Sequence, residues 1–490
     1  MKQFIDAIKQ QPVLTITQSK TSRRALVTLI LASSCAYAGA DSPESTPVNS
    51  NDKYISPQAF IQNPYNSLTS FGGTQTLTAG QMAQQNLMEK LFADGTWNVW
   101  ANSGIETNNG LQPNYEYGAN IFGQTGAVAG FALGGVLTIM NPYGTPKLNP
   151  PAQSPAANQF LTSSRQVTPS EAYLEYQYSN RVQADIGYIG INNSPWLANN
   201  YYNNMSAPGI TYQGALINVD PGGGWLLTAL AFNAAQAIGQ TGFNGMTLYN
   251  SGFDFATGTA NTISKSSAGT VALGGNYSGW NNNYNLRLWA YQFDDYANLV
   301  YADSSIKFTP TANLSFNLAA QGGTEAGDKT NVFTSSGYGN VSSTFFGVQG
   351  GLNYQWFGLN LAYNNVFGPQ NAYGGGGIAS PYTYNMSVDP LYTTPYMQGL
   401  VDRGSAGSAY KISPAFTFLN GNLSFTPAIT YLDTTAMAPS TEYDFQLSYT
   451  IPQIKGLNLF AVYAIQDVPY TNSTPNGGSY TAQFFASYLY

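Results

Sequence analysis

The chain is 490 residues long and carries 17 Lys and Arg against 24 Asp and Glu, so that charged residues make up only 8% of it. A soluble surface needs about a quarter of its residues charged, a nucleic-acid binder needs a basic face, and a helical membrane bundle needs far more apolar residues than the 43% found here. His is absent and Cys35 is the single cysteine; imidazole catalysis, His-ligated metal and a disulfide framework are all excluded, and neither an enzyme nor a cofactor is expected.

Read from the start, Lys2, Lys9, Lys20, Arg23 and Arg24 form a basic region, Ala25 to Ala36 an apolar one, and Ala36-Tyr37-Ala38 a small-x-small cleavage site. This is the pattern of an export signal over residues 1–38, with a cut after Ala40 as the alternative. Arg23-Arg24 also fits a twin-arginine signal, and a lipoprotein would keep Cys35, although Ala32 stands where that signal wants Leu. Residues 39–79, rich in Pro, Ser, Asn and Thr without periodicity, are expected to be a flexible lead-in. Within 80–93, Leu87 with Leu91 and Met88 with Phe92 repeat at i,i+4, which predicts one short periplasmic helix.

From residue 94 to 490 the period changes to two. Tyr443, Phe445, Leu447, Tyr449 and Ile451 alternate with Glu442, Asp444, Gln446, Ser448 and Thr450, and similar segments of about ten residues recur along the chain. Each has one apolar, aromatic face and one polar, mostly uncharged face, as a strand between lipid and water requires. Short links fall near Thr125, Asn180, Asp220 to Gly224, Trp280 to Asn283, Thr309 to Asn313, Gln355 to Gly358, Leu419 to Asn422 and Pro452 to Lys455. Mostly longer ones lie between them: 107–113, 141–169, 192–208, 234–267, 294–297, 323–342, 367–407, 433–440 and 467–478, with an extra hairpin allowed in 234–267. The count gives an all-β, antiparallel transmembrane barrel of about 18 strands with both ends at the short-turn side. The uncharged stretch Ile121 to Met140, with Gly126, Gly130 and Gly134 in a small-x-x-x-small series, also fits a membrane helix. A lone helical span would leave the other strands unexplained, so a glycine-rich hairpin turning near Thr125 to Ala127 is expected. The chain ends on an alternating aromatic strand; Phe484, Tyr488 and Tyr490 resemble the terminal insertion signal that the outer-membrane barrel-assembly machinery reads.

A barrel of this size encloses water, and strand parity places Glu116, Glu171, Glu175, Asp185, Arg287, Asp303, Lys307, Lys411, Glu442 and Asp444 on its inner face as candidate pore-lining residues. Acids outnumber bases among them, which favours cations. Amides, hydroxyls and tyrosines supply the rest of the lining. Long loops 141–169, 234–267 and 367–407 are candidates for narrowing the bore.

The stretches Ala172 to Tyr178, Val182 to Gly187, Ile210 to Leu216 and Trp225 to Phe232, with the late hairpin Glu442 to Tyr449, Lys455 to Leu459 and Ala461 to Ala464, are similar to strands of substrate-specific porins of the outer-membrane porin D type. The resemblance implies an 18-strand channel in the outer membrane of a Gram-negative bacterium, monomeric or loosely trimeric, set in lipid. It also implies passage of small solutes, often carboxylates, along a ladder of basic residues. In this chain only Arg287, Lys307 and Lys411 stand at inward strand positions, so that ladder is not evident. The expected function is passive diffusion of small polar solutes or ions, with no nucleic acid involved. A siderophore or iron-uptake porin and a surface adhesin are the alternatives; the adhesin lacks a fixed repeat. Scarcity of basic groups also suits an acidic habitat.

Overall fold

The computed structural model describes residues 95–108, 114–142, 165–179, 181–191, 193–197, 210–236, 242–245, 253–254, 259–260, 267–328, 332–335, 337–379, 389–397, 399–435, 438–467 and 479–489. The export signal, the lead-in, the helix expected over 80–93 and Tyr490 lie outside them.

Eighteen strands form the wall. They are β1 (Thr96–Asn108), β2 (Asn114–Gln124), β3 (Phe131–Pro142), β4 (Gln166–Tyr178), β5 (Val182–Ile189), β6 (Thr211–Gly222), β7 (Trp225–Gln236), β8 (Thr270–Gly279) and β9 (Tyr284–Phe293). The second half comprises β10 (Ala297–Thr311), β11 (Leu314–Gly327), β12 (Ser342–Tyr354), β13 (Phe357–Phe367), β14 (Gly407–Phe418), β15 (Leu423–Thr434), β16 (Ser440–Thr450), β17 (Leu457–Gln466) and β18 (Ser479–Leu489). Each pairs antiparallel with the next, and β18 pairs with β1 from Trp100 opposite Leu489 to Asn108 opposite Thr481, which closes the sheet into a barrel. All eight expected short links are the observed turns. Both ends of the barrel sit on that side, because Thr96 faces Gln124 and Leu457 faces Tyr488. Residues 234–267 contribute a two-residue extension of β7 by Asn244–Gly245 and a small ladder of Phe253–Asp254 with Thr259–Ala260.

Strand alternation sorts the side chains by solvent. Leu133, Leu174, Ile186, Leu273, Val300, Leu318, Val348, Leu361 and Phe445 are exposed on the outside, the face a bilayer would cover. Near the short-turn rim Trp356 stacks with Phe416 and Phe418 at 6.1 and 6.3 Å, and Trp280 packs on Tyr284 at 5.3 Å, a segment of an aromatic girdle. Phe484 is exposed on the same outer face, opposite Ile105 of β1, with Tyr488 opposite Ala101.

Ile121 to Met140 is the β2–β3 hairpin, and no helix among the described residues is long and apolar enough to cross a membrane. Its glycines answer to the hairpin: Gly130 takes φ +85° at the turn, and a Cβ on Gly134 would lie 2.3 Å from the Tyr173 ring that covers it. In β4 the register with β3 slips between Val136 and Leu137, so that Ser170 and Glu171 both turn inward. This bulge exchanges the faces of the strand: Gln166 and Thr168 point in before it, Tyr173, Glu175 and Gln177 after it.

Because the outer face of β13 meets lipid, Leu361→Arg at the 50% exposed Leu361 is expected to cost about 2–4 kcal/mol, whereas Ser315→Arg on the inner face costs under about 1 kcal/mol. Urea unfolding of the barrel in lipid vesicles measures both.

Candidate functional site

Two loops fold into the bore. The first follows β5: Asn193 Nδ2 donates to Thr228 Oγ1 at 2.8 Å and to Asn218 Oδ1 at 3.1 Å, and Ser194 Oγ meets the Tyr291 hydroxyl at 2.8 Å. Trp196, fully buried, then packs on Phe345 at 5.5 Å and edge-on to Tyr301 at 6.0 Å. With Tyr212, Phe232, Trp289, Phe293 and Leu299 these rings build a hydrophobic core inside the barrel against β6 to β12. A wet, uniformly polar bore would not contain one; the loop supplies the apolar partners that allow inward-facing Trp and Phe on the wall to leave water. A single helical turn, α1 (Val332–Ser335), adds Phe333 against Tyr296 and Tyr373.

The second is the 367–407 link named above. Its neck is pinched by glycines: Ala406 N donates to Gly374 O at 2.9 Å, and a Cβ on Gly374, at φ +56°, would stand 1.8 Å from Gly404 O. Beyond the neck, 389–397 and 399–403 lie along the wall. Gln321 of β11 grips its start: its amide nitrogen donates to Pro390 O (3.2 Å) and to the Tyr301 hydroxyl (2.9 Å), and its oxygen accepts from Tyr392 N at 2.8 Å. Asn364 Oδ1 accepts from Thr393 N at 3.0 Å, and Lys411 Nζ donates to Thr394 O at 2.5 Å. Asp444 Oδ2 and Glu442 Oε1 accept the backbone N–H groups of Tyr396 (3.3 Å) and Met397 (2.5 Å), and Arg403 Nη2 donates to Ser440 Oγ at 2.6 Å. The Tyr396 hydroxyl donates to Gln483 Oε1, and Gln483 Nε2 to Glu106 Oε1 at 2.9 Å.

The ten predicted residues all stand on inner-face positions, but they fall into separate groups. Arg287 and Asp303 form a bidentate pair (Nε to Oδ1 2.9 Å, Nε to Oδ2 3.1 Å), and the Tyr301 hydroxyl donates to the same carboxylate. Glu442, Asp444 and Lys411 hold the second loop. Glu175 and Asp185 are opposite each other on β4 and β5 and meet amides: Gln124 and Gln183 donate to Glu175 at 2.7 and 2.9 Å, and Gln183 donates to Asp185 at 3.1 Å. Glu171 is beside the bulge, Glu116 is buried on β2, and Lys307 is exposed near the short-turn end. Of the bases within the bore, Arg287, Arg403 and Lys411 are each engaged by the protein itself. No group of three or more His, Cys, Asp or Glu suited to a metal ion occurs among the described residues.

Sequence reasoning missed Trp196, Gln321, Asn364, Tyr396 and Arg403, which the loops bring into place, and two wall acids, Glu106 and Glu325. Glu325 continues the inward parity of β11 and accepts from Ala379 N at 2.8 Å. Parity beyond the assumed strand end would have found it.

Asp389 opens the second loop's inner segment. It accepts from Leu391 N (3.0 Å) and Val401 N (3.4 Å), while loss of solvation, and then the charge of Asp402, push its carboxyl up to about 7. Its folded pKa therefore exceeds the unfolded value, so the folded loop holds the extra proton between about pH 4 and 7 and is destabilised as pH rises through 7. Hydrogen exchange at Leu391, Val401 and their neighbours is expected to be slower at pH 5 than at pH 8 once the intrinsic rate is subtracted. Gly399→Ala would place a methyl 1.9 Å from the Asp389 carboxylate and should raise exchange there at both pH values without changing the barrel's urea midpoint.

No protein-family model matches the sequence, and no curated protein matches it either. Solved structures match in fold. The crystal structure of Acinetobacter baumannii OccAB3 aligns with TM-score 0.64 at 15% identity, over 81% of this chain and 99% of that one. Pseudomonas aeruginosa OccK8 (OprE) aligns with TM-score 0.65 at 13% identity, over 82% and 99%. Pseudomonas aeruginosa OccK2 (OpdF) in complex with glucuronate aligns with TM-score 0.61 at 14% identity, over 81% and 98%. The resemblance to the porin D type read from the strand sequences is met at the level of the fold.

Proposed function

We propose that this protein is an outer-membrane channel through which small polar solutes and ions diffuse passively, with a preference for cations. The observation that carries the reading is a closed barrel whose outside is apolar, whose inside is polar, and whose bore is narrowed by two loops docked on the inner wall. A sheet of 18 strands with that distribution has no use for its inner polar face unless water reaches it. The solved barrels of this fold support a channel rather than an enzyme.

Cation preference is supported by the charge arrangement. Asp303 neutralises Arg287, Lys411 and Arg403 are engaged in docking the second loop, and Glu175 and Asp185 accept hydrogen bonds from the amides of Gln124, Gln177 and Gln183. The β4–β5 wall thus presents acidic groups and amides to the bore, a lining that suits cations better than anions. The glucuronate held by OccK2 is an anion; here the engaged bases leave little to recognise a carboxylate, so neutral and cationic solutes are proposed in its place. The ten inner-face residues are proposed as pore lining, residues 1–38 as the export signal, and Phe484, Tyr488 and Tyr490 as the insertion signal read by the assembly machinery. Lipid surrounds the barrel, which acts as a monomer or trimer in a Gram-negative outer membrane.

Purified protein in a planar bilayer under a salt gradient should give discrete conductance steps with a reversal potential of cation-selective sign. Glu175→Gln with Asp185→Asn should lower the cation-to-anion permeability ratio by at least about twofold. Silence at every voltage would remove the channel reading; anion selectivity would remove the cation preference alone.

A further inference from the structure

The amides of the bore fall into two sets. Gln321, Asn364 and Gln483 hold the second loop, and Gln124 and Gln183 meet carboxylates. Asn317, Gln349, Asn353 and Asn360, on the inner face of β11–β13, are different: among the described residues their side chains make no hydrogen bond, and each is at least partly exposed.

Register gathers these four just on the short-turn side of the docked loop. Gln349 stands in the same cross-strand row as Lys411, whose ammonium meets the loop. The next row carries Asn317, Gly351, Asn360 and Ser413 directly opposite one another, and the row beyond it Ser315, Asn353 and Gly358. The two inward glycines leave the wall bare between the amides. A Cβ on Gly351 would stand 2.0 Å from Asn317 Oδ1, and one on Gly358 2.8 Å from Asn353 Oδ1, so each asparagine leans over a glycine. Asn360 flanks Gly351 from the other strand, and its Oδ1 has no hydrogen-bond partner in the protein. Strands about 4.8 Å apart put the Asn317 and Asn360 backbones about 10 Å from each other, with Asn353 about 7 Å along β12 from Gly351. The result is a shallow floor of glycine ringed by free amides.

Chemistry narrows what such a floor can hold. An amide carries two donors on nitrogen and an acceptor oxygen, and a hydroxyl likewise donates and accepts. A carboxylate only accepts and an ammonium only donates, so either leaves half of each amide unmatched. No acid stands in these rows, and Lys307, opposite Asn317 at their edge, is exposed, where water and salt screen its charge.

We propose that Asn317, Asn353 and Asn360, over the floor of Gly351 and Gly358, form a binding station for uncharged polyhydroxyl solutes, sugars or polyols, with Gln349 at its loop-side edge. This deepens the channel reading and rests on it. Neutral hydrogen bonds that exchange with water hold a solute weakly enough to release it, as passage requires.

Sugar titration of the ion current tests the station. In planar bilayers, D-glucose should lower the salt current saturably after correction for bulk conductivity, whereas triethylene glycol dimethyl ether, which accepts but cannot donate, should not. With Asn317, Asn353 and Asn360 all changed to Leu, the half-saturating glucose concentration should rise at least about fivefold, each current being normalised to its own sugar-free value. Gly351→Ala, which displaces the Asn317 amide without removing it, should shift the titration in the same direction. Retention of the folded, heat-modifiable gel band shows that each variant is a barrel. Absence of saturable block, equal block by the ether, or an unchanged half-saturation in the triple variant would overturn the station and leave the channel standing. Stronger block by glucuronate than by glucose would also overturn it, since charge rather than amides would then hold the solute. Silence of the parent protein in sugar-free salt removes the channel reading, and the station with it.

Discussion

A strand inside a bilayer has no water to satisfy its backbone, so every N–H and C=O must find its partner within the sheet. Here that requirement is met by the pairing of Thr96–Asn108 with Ser479–Leu489, the two strands farthest apart in sequence. Closure abolishes the edges, and it also creates an inside. Once there is an inside, the period-two alternation acquires a meaning it lacks in an open sheet, since one set of side chains is committed to lipid and the other to whatever fills the bore. Exposed Leu133, Val300 and Leu361 belong to the first set; Glu175, Arg287 and Asp444 belong to the second.

The bore is filled by two different solutions to the same difficulty. Against β6 to β12 the inward aromatics are covered by Trp196 and its neighbours, and the driving force is removal of apolar surface from water. Against β14 to β18 the inward groups are charged, and the covering segment offers them backbone N–H donors. A carboxylate that accepts a main-chain N–H, as Glu442 does from Met397, binds chain regardless of side-chain identity. This explains how the uncharged Tyr396 and Met397 dock on Asp444 and Glu442 of the wall.

Much of the wall was legible because its determinants are local. Eight tight turns and the inward or outward sense of each strand follow from alternation and from turn residues within a few positions, and the Gly130 and Gly134 hairpin is decided the same way once a lone membrane helix is set aside. The bore was not legible. Asn193 meets Thr228 across 35 positions, Tyr396 meets Gln483 across 87, and Gln483 meets Glu106 across 377. Such pairings depend on the closed geometry of the whole barrel, and nothing in the loop sequences, Pro- and Tyr-rich and without period, announces which wall residue each will reach. Parity proposes the acids as pore lining; what it does not reveal is that Asp444 and Glu442 accept backbone N–H groups of a loop.

The bulge at Ser170 and Glu171 behaves like a shift of reading frame. Upstream of it β4 presents its even-numbered residues to the bore, downstream its odd-numbered ones, and the tight turn carries the new frame into β5, where Asp185 faces Glu175. Loss of one of these two residues would restore plain alternation and leave Tyr173 and Glu175 facing the bore, because the bulge is the place where the strand absorbs one extra residue. A strand of such a barrel can therefore gain or lose one residue at a bulge and still keep its inner charge pattern. Families of barrels with one fold and little sequence in common have this route open to them, and its traces would be bulges rather than conserved side chains.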